Sequence, residues 1–106
     1  MSPENDPILQ EMVRRIVEGW NPERITLFGS RARGEADERS DVDLLVVAPV
    51  ADRREAAIAI RRRLRDVPEA KDIIVTTPEE VASRGDLVGD ILRPALREGK
   101  ALYERS

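Results

Sequence analysis

The 106-residue chain has no cysteine and no histidine, and only one tryptophan, one tyrosine and one phenylalanine. Without histidine a Ser-His-Asp triad cannot be built, and without cysteine there is no thiol nucleophile. Lacking both, the chain has no ordinary zinc site. Carboxylates and metal ions bound through oxygen remain as its chemical means. The missing cysteines also exclude disulfides, which agrees with an expected cytoplasmic location. Long apolar runs are absent too: residues 1–19 carry charges throughout, so neither a signal peptide nor a transmembrane span is expected. The balance of charge is mildly acidic, −3 with a pI near 5.1, so the molecule as a whole is no electrostatic trap for nucleic acid. Local arginine clusters remain able to contact phosphate. A chain of this length is expected to form one domain, residues 1–106, burying roughly two-thirds of its unfolded surface.

What the chain does have is the segment LFGSRARGEADERSDVDLLVV, in which ten residues separate Gly29-Ser30 from Asp41-Val42-Asp43. The short apolar run Ile25-Thr26-Leu27-Phe28 ends on glycine and reads as a buried strand entering a tight turn. Gly29 lets the backbone come close to a ligand, because no Cβ intervenes. Ser30 suits the N-cap of a short helix through Arg31-Ala32-Arg33, whose free N–H groups would face an anion such as a triphosphate. Residues 40–48 read as a second strand. Within it Asp41 and Asp43 are two apart and so share a face, about 7 Å from one another at roughly 3.3 Å per residue. Two carboxylates so placed can share divalent cations, and hard oxygen ligands favour magnesium or manganese. Taken alone, a Gly-Ser pair is ordinary in turns and an Asp-x-Asp ordinary at an exposed edge. Together they are not: four specified residues at roughly 6% usage each match at fixed spacing in on the order of one 100-residue chain in a thousand.

This pattern, G-S-R-A-R-G followed by S-D-V-D-L-L-V-V, resembles the signature of the DNA polymerase beta nucleotidyltransferase superfamily. In size the chain is similar to its minimal nucleotidyltransferase (MNT) branch. The resemblance runs from about Ile25 to Val75, with a looser match from Glu98 to Tyr103. It implies a polymerase beta-like α/β fold, a small mixed sheet with helices packed on it, and transfer of a nucleoside monophosphate from an NTP, with ATP the expected donor, to an acceptor hydroxyl. It also implies a third carboxylate on a neighbouring strand. Lys71-Asp72-Ile73-Ile74-Val75-Thr76 supplies one, and Asp72 would join Asp41 and Asp43 around Mg2+ or Mn2+ and help deprotonate the acceptor. Glu69, which precedes that strand, is the alternative. Arg31 and Arg33 would neutralise phosphate beside Gly29 and Ser30, or else serve only as solvated loop cations.

The rest of the chain reads as scaffold. Asp6 as N-cap with Pro7 in the first turn opens a helix with Leu9, Val13, Ile16 and Val17 on one face, closed by Gly19. Asp52 and Glu55 resemble a capping box for a second helix with Ala57, Ile60 and Leu64 inward. Thr77, Pro78 and Glu80 repeat the device for a third. A fourth helix is expected over 87–97, and Ala101-Leu102-Tyr103 forms a terminal strand or an extended tail. EADERS, from Glu35 to Ser40, reads as a polar loop. On the second helix Arg54, Ile58, Arg61 and Arg65 form a stripe opposite the core face, suited to solvent or to a protein partner.

Two functions follow from the resemblance. In one, the chain is an enzyme whose acceptor is presented by another macromolecule. Many MNT proteins are paired as antitoxins with HEPN-type RNase toxins, which makes such a toxin the expected protein partner; a nucleic acid acceptor is the other possibility. In the second, the chain neutralises its partner by occlusion and the site is idle. Three mutually repelling carboxylates favour catalysis. Transfer to a small molecule such as an aminoglycoside is disfavoured, because no extra domain to hold one is expected.

Overall fold

In the computed structural model, residues 6–28, 42–68, 71–84 and 99–105 are described. The chain runs α1 (Pro7–Trp20), β1 (Arg24–Phe28), β2 (Val42–Val47), α2 (Arg53–Arg63), β3 (Lys71–Thr76), α3 (Pro78–Arg84) and β4 (Lys100–Glu104).

Local capping chemistry sets the helix starts. The Asp6 carboxylate accepts from the Ile8 N–H at 2.9 Å with Pro7 beginning the helix, Asp52 accepts from the Glu55 N–H at 3.0 Å, and the Thr77 hydroxyl accepts from the Glu80 N–H at 3.1 Å. The end of α1 differs from expectation. The helix passes through Gly19 and stops after Trp20, where Asn21 adopts a left-handed conformation (φ 45°) and its N–H bonds to the Val17 carbonyl. Asparagine tolerates that region better than most side chains, so it caps the helix without glycine. The fourth helix expected over 87–97 and the loop from Glu35 to Ser40 lie outside the described residues.

The sheet has four strands in the order β3-β2-β1-β4. β1 is antiparallel to both β2 and β4, and β2 is parallel to β3 across the α2 connection. The sheet is therefore mixed, as expected, and the terminal segment is a strand rather than a tail. Alternation along β2 divides its side chains. Val42, Leu44 and Val46 enter the main core with Leu9, Met12 and Ile16 of α1 and with Ala56 and Ile60 of α2, followed by Leu64 at its end. Leu45 lies on the other face, with Phe28 and Ile74 packed against it. The two helices thus share one face of the sheet. Arg15, from the body of α1, ties it to the end of α2, donating to both carboxylate oxygens of Asp66, at 2.5 and 3.1 Å, and to the Arg63 carbonyl at 3.1 Å. Among the described residues, no helix is long and apolar enough to cross a membrane.

Candidate active site

Hydrogen-bonded register brings two of the candidate residues, Asp43 and Asp72, together at one end of the sheet. Phe28, the last residue of β1, stands opposite Asp43 on β2, and Asp43 stands opposite Asp72 on β3. Because β2 and β3 are parallel and in step, the two aspartates occupy neighbouring positions about 5 Å apart across the ladder. Both alternate away from the main core, since their neighbours Val42, Leu44 and Ile73 are buried in it. The face they occupy turns apolar behind them, with Leu45 fully buried against Phe28 and Ile74. This places a pair of charged groups at the rim of a closely packed surface. The pairing expected between Asp72 and the Asp-x-Asp strand is therefore present for Asp43.

Gly29, Ser30, Arg31, Arg33 and Asp41 lie outside the described residues, as does Glu69. The flanking positions are defined: Phe28, which precedes Gly29, pairs with Asp43, which follows Asp41 by two residues. Asp43 and Asp72 offer hard oxygen donors on adjacent strands, a donor set that fits a divalent cation of the magnesium type. Among the described residues, no group of three or more potential metal-binding side chains is assembled.

Arg61 is the residue that sequence reasoning did not place here. Its Nη2 donates to Asp72 Oδ1 at 3.0 Å, with both side chains about half exposed (54% and 52%). The sequence shows Arg61 only as one of a helical stripe, and the ion pair depends on how α2 packs beside β3. Its cation offsets the repulsion between Asp72 and Asp43, which are like charges on neighbouring strands. The remaining members of the stripe, Arg54, Ile58 and Arg65, are exposed as expected, and Ile58 at 45% is the exposed large apolar side chain of the described residues. From Asp72 an open cleft of about 630 Å³ follows β3 and the first turns of α2.

Comparison with known proteins identifies the family and the fold. The sequence matches the nucleotidyltransferase domain family over residues 9–97. No curated protein matches it. The fold is similar to that of a candidate nucleotidyltransferase from Sulfolobus solfataricus, with TM-score 0.64 and 22% identity over 92% of this chain and 78% of the other. It is also similar to a toxin–antitoxin structure of MntA-HpeT in a doubly substituted form, with TM-score 0.65 and 14% identity over 92% and 73%. A further toxin–antitoxin structure, solved with AMP-PNP, gives TM-score 0.56 and 22% identity over 92% and 74%. The family match covers most of the chain, the mixed sheet has the expected form, and the chain belongs to the nucleotidyltransferase domain family.

Proposed function

We propose that this protein transfers a nucleoside monophosphate, from ATP in the first instance, to a hydroxyl on a partner protein, and that the partner is a toxin of the HEPN-type RNase class. The observation that carries the site is the register of Asp43 with Asp72 on adjacent parallel strands. Supporting the partner are the toxin–antitoxin neighbours of the same fold, one of them solved with AMP-PNP. The substitutions named for the MntA-HpeT structure change two aspartates two positions apart to glutamate, the spacing that separates Asp41 from Asp43.

In this reading Asp41, Asp43 and Asp72 hold Mg2+ or Mn2+, which when bound supplies positive charge to the phosphate oxygens. The backbone at Gly29 and Ser30 and the guanidinium groups of Arg31 and Arg33 receive the triphosphate. The acceptor oxygen attacks the α-phosphorus, the bond from that phosphorus to the bridging oxygen breaks, and pyrophosphate departs. Asp72 takes the proton from the acceptor hydroxyl. Arg61, which donates to Asp72 Oδ1, has to make way for the acceptor hydroxyl to reach that carboxylate.

The Arg61–Asp72 pair also favours the second reading, an idle site in a subunit that neutralises by occlusion. Co-expression with the protein encoded beside it, followed by intact mass spectrometry, separates the two. The proposal expects a nucleoside-monophosphate increment on the partner, lost with Asp43→Asn. Neutralisation without any mass change in the presence of Mg-NTP refutes transfer and leaves occlusion.

A further inference from the structure

β3 is an edge strand of the described sheet, and residues 72–75 of that edge line the open cleft of about 630 Å³. The opposite wall is α2, which contributes Arg53, Arg54, Ala57 and Arg61. An edge strand presents outward N–H and C=O groups that pair readily with another extended chain. α2 packs on the face of the sheet and its arginines border the cleft along this edge, so a peptide added there would gain affinity from backbone bonds and specificity from side-chain contacts.

The charge of the wall selects the peptide. Asp52 is engaged at the start of α2 with the Glu55 N–H, and Asp72 is engaged with Arg61. Arg53 reaches Glu80 only at 3.9 Å and is 52% exposed, while Arg54 has no carboxylate partner among the described residues. Three arginines, Arg53, Arg54 and Arg61, line the groove against two aspartates, Asp52 and Asp72, so its wall carries a net positive charge. None of its lining residues is aromatic, so it provides no stacking platform for bases. Outward backbone carbonyls would also oppose phosphates.

We propose that this groove receives an extended acidic segment of a partner protein, added to the sheet as a strand beside β3 and gripped by Arg53 and Arg54. The inference rests on the reading of a protein acceptor, and it specifies how that acceptor is held. Asp72 is the second residue of β3, so a segment lying along the edge reaches the candidate site within a few residues. Four extended residues span about 13 Å, enough to run from the groove to Asp72 and present a hydroxyl there.

Fluorescence anisotropy with the full chain tests it, using a labelled octapeptide that alternates glutamate with valine, in the absence of NTP and metal. The expected result is saturable binding, weakened at least tenfold when alternate backbone nitrogens of the peptide are methylated. Methylation keeps the charge and blocks strand pairing. Arg54→Glu is expected to weaken binding at least tenfold, and Arg54→Gln, a milder change at an exposed position, to weaken it measurably, with folding checked by circular dichroism. Equal binding of the methylated peptide, of a lysine-for-glutamate peptide or of an oligouridylate of the same charge overturns the proposal, as does no binding at millimolar peptide. Because nothing in the assay depends on transfer, a protein that modifies its partner yet fails this test loses only the groove.

Discussion

Replacing Arg61 with glutamine removes one positive charge beside Asp72 while keeping most of the side-chain volume. The guanidinium lies 3.0 Å from the carboxylate, and both groups are about half exposed, so the pair belongs with surface ion pairs. Such pairs stabilise by about 0 to 1 kcal/mol, and the loss from the folded state should be no greater. At roughly 4 to 8 °C per kcal/mol for a domain of this class, the melting temperature of the metal-free protein should fall by only a few degrees. The effect on a cation has the opposite sign. A dication held by Asp43 and Asp72 about 5 Å from the Arg61 charge would be repelled by about 1.7 kcal/mol in water, before salt screening reduces it. Since about 1.4 kcal/mol is tenfold in affinity, Arg61→Gln should bind Mn2+ roughly three- to tenfold more tightly. Calorimetric titration of Mn2+ into wild type and variant measures this directly. Unchanged or weaker binding in the variant would refute the electrostatic account, and would mean that Arg61 holds Asp72 in the geometry the cation needs.

Asp72→Asn should lower turnover about 10²- to 10⁴-fold with a much smaller change in nucleotide affinity, because a base acts mainly in the transition state; single-turnover kinetics beside a binding isotherm separate the two. The Arg15 guanidinium hydrogen-bonded to Asp66 holds that carboxyl below its ordinary value. Its stabilising contribution is thus complete above the unfolded value of about 3.9 and disappears as pH falls through the lowered folded value. Asp66→Asn should therefore lower the melting temperature at neutral pH by an amount that shrinks to nothing in strong acid, and a difference independent of pH would contradict the linkage. Gly19 sits inside α1, and a Cβ there would meet nothing within 4 Å. Gly19→Ala should accordingly stabilise by about 0.5 to 1 kcal/mol in denaturant titration, less if the last helical turn frays.

Legibility in the sequence tracks the range of the interactions concerned. The helix starts at Asp6, Asp52 and Thr77 were readable because each cap bonds within three residues along the chain. The strand character of residues 24–28, 42–47 and 71–76 was readable from apolar runs, because sheet burial leaves that imprint locally. The close of α1 was misread at Gly19, since asparagine and glycine compete for the same left-handed position and the sequence offers both. Met12, fully buried, was missing from the expected helix face, and Ala56 rather than Ala57 points most deeply inward. Those choices depend on the angle at which a helix meets the sheet. At the site, Asp43 and Asp72 were expected to meet, and their register pairing follows from a parallel β2-α2-β3 unit. The Arg61–Asp72 ion pair was not legible, because eleven residues and a change of element separate its partners.

The central claim is that a metal-bound nucleotide is held at the paired carboxylates, and thermal unfolding of wild type and Asp43→Asn with and without Mg-ATP tests it most directly. A ligand at 100 times its dissociation constant stabilises a folded protein by about 2.7 kcal/mol, so wild type should gain that much and show it as a rise in melting temperature. Asp43→Asn should fold, as circular dichroism would show, and gain nothing from Mg-ATP. Equal stabilisation of both proteins by Mg-ATP would place the nucleotide elsewhere and contradict the account.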